Sequence, residues 1–132
     1  MERFVVQGGF PLNGTITASG NKNAALKLLP ACLLTDEPVV LHNIPDIADV
    51  HTMIQLLQQL GVDIQGAGEG SWKIHAHKIT SQVIDPTLAG IIRASIVLAG
   101  PMLARTGMVE LPPPGGDVIG RRRVDTHILA LK

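Results

Sequence analysis

Residues 24–41 read AALKLLPACLLTDEPVVL, and residues 94–111 read ASIVLAGPMLARTGMVEL. Laid together at a constant offset of 70, Ala24 falls on Ala94, Leu28 on Leu98, Leu33 on Leu103, Val39 on Val109 and Leu41 on Leu111. Farther on, Asp49-Val50-His51 falls on Asp125-Thr126-His127, with the offset grown to 76. The matched residues are sparse, but the order of elements repeats with them. That combination marks a duplicated structural unit.

Working outward from the repeat, residues 24–34 are apolar on nearly every face. They predict a buried helix that Pro30 kinks or restarts. Residues 39–41 predict a short strand. Pro45 and Asp46 open an amphipathic helix in which Val50, Met53, Ile54, Leu57 and Leu60 share one face, with Gly61 as its C-terminal cap. Val62 and Ile64, then Trp72, Ile74 and Ala76, alternate with polar residues around a glycine-rich turn, which predicts a β-hairpin. Upstream, residues 4–6 and 15–18 read as short strands separated by a loop with Gly8, Gly9, Pro11 and Gly14.

The second copy carries about six extra residues in Pro112-Pro113-Pro114-Gly115-Gly116-Asp117, between its strand and its second helix. Insertions in repeats go to surface loops and often to the functional face. The sequence stops at Lys132 inside that second helix, where the first copy continued into a hairpin. The expectation is therefore a piece of a longer protein.

Composition narrows the function classes. The chain has 132 residues, 45% hydrophobic and 17% charged, which is a globular balance. Its 11 basic and 11 acidic residues cancel, so it lacks the cationic surplus that binds nucleic acid or an anionic membrane face. With no Tyr, two Phe and one Trp it offers little on which bases could stack. No apolar run approaches the roughly 18 residues of a membrane span. Met1, Glu2 and Arg3 lead into no signal-peptide core, and a single cysteine, Cys32, excludes an internal disulfide, so a cytoplasmic location is expected.

Three places can carry chemistry. Ser19-Gly20-Asn21-Lys22-Asn23 leads into the first helix, where free N–H groups and the Lys22 ammonium suit a phosphate or carboxylate. The alternative is an ordinary helix cap followed by a solvated lysine. Arg93 sits among Ile91, Ile92, Ala94, Ile96 and Val97, and overlays Asn23 in the repeat. Either a partner anion meets its guanidinium or its stem packs while its head reaches water. The third is Pro114-Gly115-Gly116-Asp117-Val118-Ile119-Gly120-Arg121-Arg122-Arg123-Val124-Asp125-Thr126-His127, which combines backbone freedom with planar cations that bind anions bidentately. His75 and His77 share one strand face, but no second cysteine or HExxH spacing accompanies them, so no metal site is expected. Neither a Gly-x-Ser-x-Gly elbow nor a dinucleotide-binding glycine motif occurs.

At Ser19-Gly20-Asn21-Lys22-Asn23-Ala24-Ala25, Arg93-Ala94-Ser95 and Pro114-Gly115-Gly116-Asp117-x-Ile119-Gly120-x-Arg122-x-Val124-Asp125-x-His127 the chain resembles the UDP-N-acetylglucosamine 1-carboxyvinyltransferase family of enolpyruvyl transferases. The resemblance runs through essentially the whole chain. The sister 5-enolpyruvylshikimate-3-phosphate synthases share the fold without this glycine-rich loop. The resemblance implies an inside-out α/β barrel of βαβαββ units, of which residues 22–132 supply about one and a half. Residues 1–21 would belong to a second domain, with the active site in the cleft between the two. The implied partners are phosphoenolpyruvate and UDP-N-acetylglucosamine, without a cofactor. Lys22, Arg93 and Arg122 would neutralise phosphoenolpyruvate, and Asn23, Arg122, Arg123, Val124, Asp125, Thr126 and His127 would bind the nucleotide-sugar. Asp117 stands where the family usually has a cysteine that transfers a proton and reacts with the epoxide antibiotic fosfomycin, and Arg123 stands where it usually has proline. Asp117 is thus the expected proton donor.

Overall fold

The computed structural model describes residues 3–116, 120 and 123–131. Asn21 starts the first helix, α1 (Lys22–Ala31): its Oδ1 accepts the Ala24 N–H at 2.9 Å, satisfying one of the donors left open at a helix start. Pro30 lies next to the end of α1, and the chain then tightens into a 3-10 turn, Cys32–Leu34. Strand β1 (Val39–Leu41) follows, then helix α2 (Ala48–Gln59). Strands β2 (Asp63–Gly66) and β3 (Trp72–His75) form the expected hairpin. The three strands make one antiparallel sheet in the order β1-β3-β2, with Val39 and Ile64 both opposite the buried Ile74.

Gly61 ends α2 as the sequence predicts. Its φ of +95° lets its N–H reach the Gln58 carbonyl at 3.0 Å while the Val62 N–H reaches that of Leu57 at 3.1 Å. The amphipathic face of α2 is also as expected: Val50, Met53, Ile54, Leu57 and Leu60 all lie in the core beside Leu29, Leu33 and Ile74. Each such side chain contributes about 1.5–3 kcal/mol by leaving water.

The second copy begins after a helix that periodicity did not reveal, α3 (Pro86–Ile91). Asp85 caps it through Oδ1 to the Leu88 N–H at 2.7 Å, and Pro86 opens it with φ already helical. A 3-10 helix, Arg93–Leu98, runs into α4 (Ala99–Thr106), and α5 (Asp125–Leu131) follows the loop. The helix–strand–helix order thus recurs. The second strand is reduced to a single parallel bridge between Glu110 and Val83.

Three expectations need correction. Residues 4–6 and 15–18 form no strand, because a strand needs a paired neighbour and none lies beside them among the described residues. Helix α1 is buried on one side only: Ala25, Leu26 and Leu29 face the core, whereas Leu28 is 48% exposed and Leu34, in the turn beyond, 57%. The core under α1 comes from α2 and from the 3-10 helix Arg93–Leu98, and neither reaches the outer face. Finally, α2 starts at Ala48 and not at Pro45, since the Asp46 carboxylate turns to His51 Nε2 at 2.5 Å and leaves the helix start uncapped by a side chain. No helix among the described residues is long and apolar enough to cross a membrane.

Candidate active site

Lys22 is the first residue of α1, where the helix end is itself positive and no acidic residue occupies the first turn. A cation there is unfavourable for the helix alone. The counter-charge arrives from another element: Asp49 in the first turn of α2 places Oδ2 2.5 Å from Lys22 Nζ. Packing of α1 against α2 brings the two together, and Gly20 permits it. A Cβ on Gly20 would lie 1.8 Å from the Asn43 carbonyl oxygen and 2.9 Å from Pro45 Cδ, so only glycine lets the two loops touch. The result is a lysine held half-exposed above a helix N-terminus, with N–H groups and an ammonium on one side and a carboxylate on the other. Asn23, next to it, is exposed, and its carbonyl accepts Lys27 Nζ at 3.3 Å.

Arg93 opens its 3-10 helix, and that helix packs on α1. The two cations therefore begin two helices that touch. Arg93 is half-buried. In the third region Arg123 Nε donates to Asp125 Oδ1 at 3.1 Å and its Nη2 bonds Oδ2. That guanidinium, helped by a backbone hydrogen bond, holds the Asp125 carboxyl below its usual range. Val124 is half-buried, Thr126 and His127 are exposed, and His127 lines a groove of about 430 Å³ with Ile96, Val97, Leu111 and Ile128. Asp117 and Arg122 lie outside the described residues.

Asp49 is the site residue that reading by motif missed. The repeat contained the signal, since it set Asp49 opposite Asp125, and in the structure each of the two carboxylates holds a cation. His75 and His77 do share a face, with ring centres 5.5 Å apart, but His75 is spent on the Asp36 carbonyl at 2.9 Å.

Proteins of known name are similar to this chain in sequence and in fold. The chain is 54% identical over 131 residues to the UDP-N-acetylglucosamine 1-carboxyvinyltransferase of Treponema denticola, covering 99% of this chain and 31% of that protein. It is 52% identical over 130 residues to the protein of the same name from Bradyrhizobium diazoefficiens, covering 98% of this chain and 30% of that one. The chain thus spans about 30% of the length of these curated relatives. Among solved structures, the enolpyruvyl transferase NikO from Streptomyces tendae superposes with a TM-score of 0.66 at 23% identity, over 76% of this chain and 23% of that one. This last likeness establishes the fold alone: a mixed α/β arrangement that forms part of the inside-out barrel of the enolpyruvyl transferases. Residues 6–132 match the family described as EPSP synthase (3-phosphoshikimate 1-carboxyvinyltransferase), and the chain belongs to that family.

Proposed function

We propose that the chain is the N-terminal part of a cytoplasmic enzyme that transfers enolpyruvyl from phosphoenolpyruvate to the 3-hydroxyl of UDP-N-acetylglucosamine, releasing phosphate. The observation that carries this reading is the 54% identity to a relative of that name over 131 residues, which include all three motifs. In this reading Lys22, Arg93 and Arg122 offset the charges of phosphoenolpyruvate and stabilise the charge that develops on the departing phosphate. Asp117 gives a proton in place of the usual cysteine. Asn23, Arg122, Arg123, Val124, Asp125, Thr126 and His127 hold the nucleotide-sugar. Residues 22–132 belong to one domain and residues 1–21 to the other. The division is supported by the exposure of Phe4, Val5, Val6, Phe10, Leu12 and Ile16, which runs from 71% to 100% and leaves these side chains unburied by the rest of the chain.

The full-length protein of which this chain is a part, given both substrates, should release phosphate and form the enolpyruvyl nucleotide-sugar, whereas the 132-residue chain alone should not. Release with shikimate 3-phosphate and not with the nucleotide-sugar would reassign the acceptor to that of the 3-phosphoshikimate 1-carboxyvinyltransferases. Release with neither would overturn the reading. Lys22→Ala should lower turnover by roughly a hundredfold or more. Unchanged turnover would favour a module that binds without catalysing.

A further inference from the structure

We propose that Ser95 is a positioning residue for Arg93, and that it acts together with the backbone of Gly115 and Gly116. The proposal rests on the reading of Arg93 as a phosphoenolpyruvate ligand.

The path of the chain creates the need. Helix α3 stops at Ile91, Ile92 is extended (φ −122°, ψ 135°), and the 3-10 helix restarts at Arg93. Such a break strips the last carbonyls of α3 of their helical donors. Ser95, at 0% exposure, supplies the replacement: its Oγ lies 2.9 Å from the Ile92 carbonyl oxygen and 3.1 Å from that of Ala89. The Ala89 oxygen also accepts the Gly115 N–H at 3.0 Å, and the Gly90 oxygen accepts that of Gly116 at 3.3 Å. One buried hydroxyl and two backbone amides therefore fix the corner from which Arg93 projects.

Both glycines are required by contact. A Cβ on Gly115 would sit 1.6 Å from the Gly90 oxygen. Gly116 has φ +84°, and a Cβ there would lie 2.9 Å from Arg93 N and 3.3 Å from Arg93 Cβ. The corner at Arg93 is thus bounded by Ser95 on one side and by Gly116 on the other, and the first residues of the glycine-rich segment are fastened to the carbonyls of Ala89 and Gly90 in α3.

The repeat separates this role from packing. The first-copy equivalent of Ser95, at the offset of 70, is Ala25, which is buried at 2%. That position needs a small side chain for packing. The hydroxyl is an addition confined to the copy that carries the arginine and the inserted loop.

The test is Ser95→Ala in the natively expressed protein, which installs the residue type that the first copy carries at the matching buried position. Hydrogen exchange at the Gly115 and Gly116 amides should quicken by about tenfold, the usual weight of one net hydrogen bond. The Gly107 amide, bonded to the Leu103 carbonyl at 2.9 Å, should keep its rate and serves as the internal control. KM for phosphoenolpyruvate should rise by roughly tenfold, with KM for UDP-N-acetylglucosamine unchanged. Unaltered exchange at both glycines would overturn the proposal, as would quickened exchange with an unaltered KM for phosphoenolpyruvate. An equal loss for both substrates, with faster exchange at Gly107, would reduce Ser95 to a packing residue and also overturn it. If the unsubstituted protein consumes no phosphoenolpyruvate, the enolpyruvyl reading fails, and the exchange rates alone then decide whether Ser95 holds the corner.

Discussion

Lys22 and Asp49 meet at 2.5 Å across the starting turns of two packed helices. Both side chains are half-exposed, at 51% and 37%, so the pair adds no more than about 1 kcal/mol to stability. Its consequence is placement: the ammonium is held at a helix N-terminus, where an anion would be drawn to the same point.

Removing the charge and removing the contact should therefore differ. Asp49→Asn should shift the free energy of unfolding by less than about 1 kcal/mol. Gly20→Ala should cost about 1–3 kcal/mol, because its Cβ meets the Asn43 carbonyl oxygen at 1.8 Å and rigid backbone must move. Urea unfolding of the two variants compares them directly. Equal midpoints would contradict the account of Gly20.

Met53 is fully buried at the centre of α2, among side chains from α1 and the sheet. Met53→Ala removes most of its volume and should cost about 2–5 kcal/mol, read as a lowered urea midpoint with little change in slope. Leu28→Ala, on the exposed side of α1, should cost far less.

Acid titration should report the Arg123 contact. The folded pKa of Asp125 is depressed, so the stability this group contributes is present above the ordinary carboxylate range and is lost as pH falls through the folded value. Carboxyl carbon shifts followed by NMR should show Asp125 titrating below a free aspartate. In Arg123→Ala the titration should return towards the usual range.

Cys32 makes the opposite prediction. Burial raises its thiol pKa, against a smaller backbone hydrogen bond that lowers it. The folded value is raised, so its contribution holds at neutral pH and is lost as pH rises through the folded value, in the alkaline range. Its Sγ also donates to the Leu28 carbonyl at 3.3 Å. The native protein at neutral pH should resist thiol reagents and label only when unfolded. With no thiol at position 117, fosfomycin should leave no adduct on either Asp117 or Cys32, a result that mass spectrometry checks directly.

The amino-acid sequence by itself determined the elements whose hydrogen bonds close over a few residues. The apolar spacing of Val50 to Leu60, the cap at Gly61 and the alternation from Val62 to Ala76 each specify their own geometry, and the repeat specifies their order. Asp85-Pro86 held the same local information for α3, although too short for periodicity to reveal. The tertiary structure alone decided which face of α1 is buried, that residues 4–6 and 15–18 form no strand, and that Asp49 meets Lys22. It alone showed that a serine six residues from Ala89 closes the corner at Arg93. These outcomes depend on partners distant along the chain. A strand exists only beside another strand, an ion pair between residues 22 and 49 exists only once two helices have packed, and no spacing rule within one segment encodes either.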